Sequence, residues 1–286
     1  AIDNGKDALQ YLKEHPVDVM FVDMNLPIVG GKELLDFCSN EKPSVLPVVL
    51  SGYTDFEYVK CAITNHAIDY LLSRGISFNI IKHCIDHYLL YENEYFSPST
   101  NKVYQNVAFI GWDKKTNKPR HIALRGINQD FIGDATGSDK RYSFCIESSN
   151  PDCDTVHINE APIDVLSQAT LFEQDNKEFN HEHILSLTGI YAPRNDTKEI
   201  KIPLALQQFL IDHPKIKNII FHLDLDKVGR QATALIIEIM KLKLPEYTCY
   251  DDPPKYYKDT NDNLCMRLGI AKVKSRSKMD NKEYTR

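Results

Sequence analysis

The chain has 286 residues, 42% of them hydrophobic and 26% charged, with a formal net charge of −6. That length accommodates two domains of roughly 100–200 residues each, with the composition of an ordinary globular protein. No apolar run approaches the roughly 20 residues that a helix needs to span a bilayer, so no membrane partner is expected, and with no global basic surplus any nucleic-acid contact must come from local patches.

In chain order, the opening Ala1-Ile2-Asp3-Asn4-Gly5-Lys6 carries charges where a secretory segment has its apolar core. The first residue is not Met, so the expectation is a chain that begins inside a longer reading frame. Residues 6–14 read as an amphipathic helix and Val17-Asp18-Val19-Met20-Phe21-Val22 as a buried strand ending at Asp23. A helix at 31–39, a strand at 46–50, a helix at 55–65, a strand at 68–72 and a helix at 77–91 follow. Short apolar strands alternating with helices imply a parallel sheet covered on both faces. Residues 92–102, rich in Tyr, Asn, Ser, Pro and Thr, read as a junction. Strands at 107–111 and 120–125, separated by a turn over 114–119, predict a hairpin. A second alternating series then runs: strand 155–159, helix 161–173, strand 184–187, helix 203–212, strand 218–223, helix 227–242, strand 247–250 and helix 260–268. Its ligands are expected beyond the carboxyl ends of the strands. The expected segments are 1–94, 95–150, 151–270 and a basic tail at 271–286.

In the first segment, Asn4-Gly5 with Ala8-Leu9, Val22-Asp23-Met24-Asn25-Leu26-Pro27 before Gly30, Leu50-Ser51-Gly52-Tyr53 with Asp55-Phe56-Glu57-Tyr58, and Ala62 to Asp69-Tyr70-Leu71-Leu72 resemble a two-component receiver domain over residues 1–91. The last two pieces look most like receivers attached to helix-turn-helix transcription factors. A receiver needs a strand-end carboxylate to attack phosphorus, for which Asp23 is placed, and a hydroxyl for the phosphoryl oxygen, which Ser51 offers. The resemblance implies a histidine kinase as partner. It departs at Ser73-Arg74, where the family has Lys-Pro, and the family's first strand, first helix and acidic pair lie upstream of Ala1. The expected fold is therefore an incomplete flavodoxin-like receiver, a remnant joined to a second domain as in a rearranged reading frame.

The second half carries an acidic constellation. Val156-His157-Ile158-Asn159-Glu160 is a strand delivering a carboxylate, with Asp164 four residues into the next helix. Ile219-Ile220-Phe221-His222-Leu223-Asp224-Leu225-Asp226 is an apolar strand delivering a DxD pair, followed by Lys227-Val228-Gly229-Arg230. At a strand end the backbone turns, so Asp224 and Asp226 can converge on one hard cation. Glu160 on a neighbouring strand end can serve as general acid or base, or hold a second metal. Carboxylates crowded in this way repel, which raises at least one pKa. With Lys258-Asp259-Thr260-Asn261-Asp262, these three pieces resemble the motifs of a Toprim domain, the last that of primase-like members. Asn106 to Gly111, Pro119-Arg120, Ala123 to Gly126 and Gly133 to Phe144 look like the domain that precedes Toprim in proteins of bacterial plasmids and integrative elements.

The fold expected overall is α/β: the incomplete receiver, a β-hairpin region, then a Toprim-like, Rossmann-like α/β domain. The resemblance implies a Mg²⁺- or Mn²⁺-dependent nucleic-acid-processing protein, primase-like or nuclease-like, acting on DNA rather than RNA. Glu160, Asp164 and Lys258 are the expected catalytic groups, and Asp224, Asp226 and Glu160 the metal ligands. Arg125, Lys140, Arg141 and Arg230 are candidate phosphate contacts, and the tail residues Lys272, Lys274, Arg276 and Lys278 candidate backbone contacts. Two other readings stay open: a response regulator phosphorylated at Asp23, and a non-catalytic nucleic-acid-binding module. The seven cysteines, with no CxxC pair, read as buried small hydrophobes in a reducing cytoplasm. His222 reads as a strand side chain, and His181-Glu182-His183 as too few ligands for a metal site.

Overall fold

A computed structural model describes residues 2–17, 19–23, 26–42, 45–50, 65–97, 100–127, 129–189, 201–255 and 257–270. Ser51, the helix expected at 55–65 and the basic tail lie outside them. The chain divides into two compact units, Ala1–Ile68 and Asp69–Arg286.

In the first unit, α1 (Gly5–Glu14) is capped by the Asn4 side chain, which accepts the Asp7 N–H at 2.9 Å. Strand β1 (Val19–Asp23) pairs in parallel with β2 (Leu46–Leu50), and Asp23 closes β1. Helix α2 (Gly31–Glu41) packs Leu34, Leu35 and Cys38 against Leu12, Val22 and Val45. Strand and helix alternate here as the hydrophobic pattern dictates.

Residues 68–72, expected as a strand, are helical. They belong to α3 (Asn65–Ser73), because Ala67, Ile68 and Leu71 fall on one helical stripe and are buried while Asp69 and Leu72 are exposed. A short apolar run does not by itself distinguish a buried strand from a helix. Ser73-Arg74 thus ends a helix, not a strand. The expected helix at 77–91 is shorter, α4 (Phe78–Asp86), and the expected junction is a strand, β3 (Leu90–Ser97). Its Glu and Asn residues suggest a loop, but pairing along its whole length with β4 (Lys102–Asp113) overrides that local preference. β4 forms the expected hairpin with β5 (Lys118–Gly126), and β6 (Ile132–Asp134) completes an antiparallel sheet in the order β3-β4-β5-β6.

A short strand that the sequence does not announce, β7 (Cys145–Ile146), precedes the expected series: β8 (Thr155–Asn159), α5 (Pro162–Gln174), β9 (His183–Ser186), α6 (Leu204–Asp212), β10 (Asn218–Phe221), α7 (Lys227–Lys243), β11 (Thr248–Asp251) and α8 (Thr260–Arg267). The sheet order is β11-β10-β8-β9-β7, parallel except for β7. Such a sheet is buried on both faces, and Val156, Ile158, Ile219, Phe221, Leu206 and Met240 share one core. The β8–β10 register sets Ile158 opposite Phe221, so the two chains emerge side by side at the carboxyl edge. That adjacency positions the site.

No helix among the described residues is long and apolar enough to cross a membrane. The six described cysteines are all free.

Candidate metal and nucleic-acid site

Three segments meet at the carboxyl edge of the parallel sheet. After β8, the Glu160 backbone carbonyl accepts the Gly189 N–H at 3.0 Å, which fixes the turn. After β10, the chain carries Asp224 and Asp226 into α7. The third segment approaches from β11: the Leu225 N–H donates to the Lys258 carbonyl at 2.7 Å, and Thr260 Oγ1 donates to Asn159 Oδ1 at 3.2 Å.

Lys258 Nζ lies 3.2 Å from Asp224 Oδ2 and 3.5 Å from Asp226 Oδ2, so one cation already bridges the pair. The two aspartates differ. Asp224 is buried, which pushes its carboxyl above the usual range despite Lys258. Asp226 caps α7, and the Gly229 N–H donated to its Oδ1 at 3.0 Å is the main cause holding it below that range. Burial pulls Lys258 down, but the two carboxylates outweigh it and the net shift is upward. Glu160 is half-buried and, among the described residues, its carboxylate accepts no hydrogen bond. Burial first, then the charge of Asp224, raises it to about 7. Such a group is a poised acid or base near neutral pH.

Gly229 is required by close approach: a Cβ there would fall 2.1 Å from the Asp224 carbonyl oxygen. Arg230 braces the same loop. It donates to the carbonyls of Leu223 (2.7 Å) and Asp224 (3.0 Å), to Asp251 Oδ1 (2.6 Å) and to Thr233 Oγ1 (3.1 Å). The sequence suggests a phosphate contact; in the structure these four bonds make Arg230 a brace of the DxD loop. Arg125, Lys140 and Arg141 lie on and beside the antiparallel sheet, not at the carboxyl edge. Arg125 Nε donates to Tyr70 Oη at 3.4 Å, Lys140 pairs with Asp134 at 3.1 Å, and Arg141 pairs with Asp139 at 2.7 Å.

Asp164 is buried in the first turn of α5, where its Oδ1 accepts the Asn261 N–H at 3.1 Å. Burial, then the charge of Asp259, pushes its carboxyl well above the usual range, and its bond to Asn261 docks α8. Asn261 is missed as an organiser by the sequence reading. Wholly buried, it donates to the Arg74 carbonyl and to Ser167 Oγ, both at 2.9 Å. A hydrogen-bonded chain was also hidden: Glu182 Oε2 lies 2.7 Å from His157 Nε2, His157 Nδ1 lies 2.8 Å from His222 Nε2, and His222 Nδ1 donates to the Asp252 carbonyl at 2.7 Å. The signal was a histidine two or three positions before each acidic strand end.

Asp224 and Asp226 suit a hard cation in donor chemistry, and their shared contact with Lys258 shows that they can face one charge. Among the described residues no three His, Cys, Asp or Glu side chains are disposed together to hold a metal ion. Glu160 lies close enough to the pair for the charges of Asp224 and Asp226 to raise its carboxyl.

Comparison with known proteins accords with this geometry. Residues 157–264 match the Toprim-like family model, residues 69–150 the model described as Protein of unknown function (DUF3991), and residues 1–80 that of the response regulator receiver domain. The chain thus combines a receiver segment, a DUF3991 segment and a Toprim-like domain, and members of the Toprim class generally bind divalent metal ions. An "Uncharacterized response regulatory protein" of Staphylococcus epidermidis is 32% identical over 83 residues, 29% of this chain and 32% of the relative. The "Transcriptional regulatory protein HptR" of Staphylococcus aureus is 35% identical over 69 residues, 24% of this chain and 27% of the relative. The chain thus spans under a third of the length of these relatives. Among solved structures, the primase fragment of the bacteriophage T7 primase-helicase protein is similar at a TM-score of 0.42 and 14% identity, over 70% of this chain and 69% of that one. The Aquifex aeolicus primase (zinc-binding and RNA polymerase domains) gives 0.40 and 15%, over 71% and 53%.

Proposed function

We infer that the second unit carries out divalent-metal-dependent phosphodiester chemistry on nucleic acid, primase-like or nuclease-like, with DNA as the substrate and a mobile genetic element as its setting. The observation that carries this reading is the meeting of Glu160, the Asp224/Asp226 pair and Lys258 at adjacent strand ends. Asp224 and Asp226 would hold Mg²⁺ or Mn²⁺, which supplies charge neutralisation for a reacting phosphate. Glu160 takes or gives the proton, and Lys258 balances the acidic pair and meets phosphate when the metal takes its place. Asp164 and Arg230 act through these residues by fixing α8 and the DxD loop.

The test is a Mg²⁺ and Mn²⁺ titration with single-stranded and duplex DNA, assayed for extension and cleavage. Activity is expected to fall at least a hundredfold in Asp224→Asn and Glu160→Gln, on the scale of losing a metal ligand or a general acid–base group. Unchanged activity in both variants overturns the catalytic reading. Metal-independent binding without turnover would make the unit a nucleic-acid-binding module.

A second reading concerns the first unit. The receiver match over residues 1–80 and the position of Asp23 at the end of β1 favour phosphorylation there by a histidine kinase. Acetyl phosphate labelling that disappears in Asp23→Asn supports it, and absence of labelling in the parent chain removes it.

A further inference from the structure

The antiparallel sheet carries a cavity that the acidic site does not use. It measures about 490 Å³ and is lined by Tyr95, Tyr104, Phe131, Asn93, Asn106 and Gln129, with Asp134 at one side. That volume lies in the range of small-molecule sites, about 300–1,000 Å³. The β3–β4 register sets Tyr95 directly opposite Tyr104 and Asn93 opposite Asn106, so an aromatic pair and an amide pair are neighbours on one face. Gly126 stands opposite Asn106 in β5, and a Cβ there would fall 2.4 Å from Gln129 Cγ. The missing side chain is what lets Gln129 turn in over the face.

The amides are strung together loosely. Gln129 Nε2 donates to Asn106 Oδ1 and Asn106 Nδ2 donates to Asn93 Oδ1, each at 3.4 Å. The Asn93 amide NH₂ and the Gln129 amide oxygen are left unspent among the described residues. A donor and an acceptor beside flat aromatic rings match a nucleobase, which has π-faces and an edge of mixed donors and acceptors. Asp134, paired with Lys140, adds an acceptor for an exocyclic amino group.

We propose that this cavity receives an unstacked base of a single nucleic-acid strand. The proposal rests on the nucleic-acid reading of the second unit. A strand is favoured over a free nucleoside triphosphate by charge. Lys102, two residues before Tyr104, shares its face of β4, and Asp134 in the lining already takes up the Lys140 charge, so no cluster of cations lines the cavity among the described residues to meet three phosphates. One cation suits one backbone phosphate. Tyr95 and Phe131, 57% and 42% exposed, offer ring surface to an incoming base at no cost to the core.

The experiment is fluorescence anisotropy of the full chain with labelled oligodeoxythymidine and oligodeoxyadenosine, against duplex of the same length. Tyr95→Ala and Phe131→Ala are expected to weaken single-strand binding roughly 5- to 100-fold, with Tyr95→Phe near the parent and duplex binding little changed. Equal single-strand affinity in the folded alanine variants overturns the proposal and leaves the acidic-site reading standing. So does displacement of the oligomer by a mononucleotide at comparable concentration, which marks a free-nucleotide site. If the parent binds duplex but no single strand, the cavity proposal alone falls; if it binds neither, the nucleic-acid reading falls with it.

Discussion

Glu160 is the residue whose environment most changes its chemistry. Its carboxyl is raised from an ordinary 4.5 to about 7, first by burial and then by Asp224. Between those pH values the folded chain binds a proton there that the unfolded chain has lost, so stability falls as pH rises through this window and is level above it. Comparing parent and Glu160→Gln melts in chelator from about pH 4 to about pH 8 isolates this group, since Asp164 and Asp224 are common to both. The variant is expected to lose part of the decline. Divalent-ion binding gives the complementary readout. A metal that takes the ionised carboxylate binds more tightly as pH rises, by up to about tenfold per unit below 7, then levels off. Identical melting profiles in parent and variant would show that Glu160 titrates alike in the folded and unfolded chain.

At the scale of elements, the decisive contact is the buried seam that holds α8 against α5. Asn261 joins it to the Arg74 carbonyl and Ser167, and Asp164 receives its backbone N–H. Asn261→Ala removes the amide donor to the Arg74 carbonyl and to Ser167 Oγ, which keeps its bond to the Ile163 carbonyl, and is expected to cost about 1–3 kcal/mol in urea unfolding. Because burial and the charge of Asp259 favour the protonated form of Asp164, Asp164→Asn is expected to be tolerated within about 1 kcal/mol, while Asp164→Ala costs about 1–3 kcal/mol. Equal damage from both Asp164 variants would mean that the carboxylate is charged and the seam electrostatic. This seam was only half legible in the sequence. The 155–268 series could be read because each strand is a short apolar run ending in a polar turn, and Glu160, Asp224, Asp226 and Lys258 fall at those ends. What Asn261 touches is 187 positions away in the chain at Arg74, and no local pattern encodes it. The protein partners of the basic residues were hidden for a related reason. Arg230 looks free in sequence, but it donates to two backbone carbonyls and Asp251, and Arg141 pairs with Asp139. The α3 run defeated periodicity because a single helical turn of apolar residues resembles a strand.

For the whole molecule the question is where the second unit starts. The receiver match runs to residue 80 and the DUF3991 match starts at 69, so the two overlap where the compact units divide. Physical contacts favour the earlier start. Ser77 N donates to Thr170 Oγ1 at 3.2 Å, and Asn79 Nδ2 donates to Glu173 Oε1 at 2.8 Å. Ile80, Ile81, Cys84 and Ile85 of α4 are buried, and β3 pairs with β4 from Leu90 onward. A chain cut at the expected boundary near residue 95 would remove α4, truncate β3 and strip the Arg74 carbonyl from Asn261. Each lost buried aliphatic side chain costs about 1.5–3 kcal/mol, so the sum exceeds the margin of a typical domain. A chain starting at Asn65, which keeps α3 whole, is therefore expected to unfold cooperatively and to keep the Glu160-dependent pH profile. The chain starting at Tyr95 is expected to be insoluble or molten by near-ultraviolet circular dichroism. If the shorter chain melts as cooperatively as the longer one, residues 69–94 belong functionally to the receiver segment and the unit begins at the hairpin.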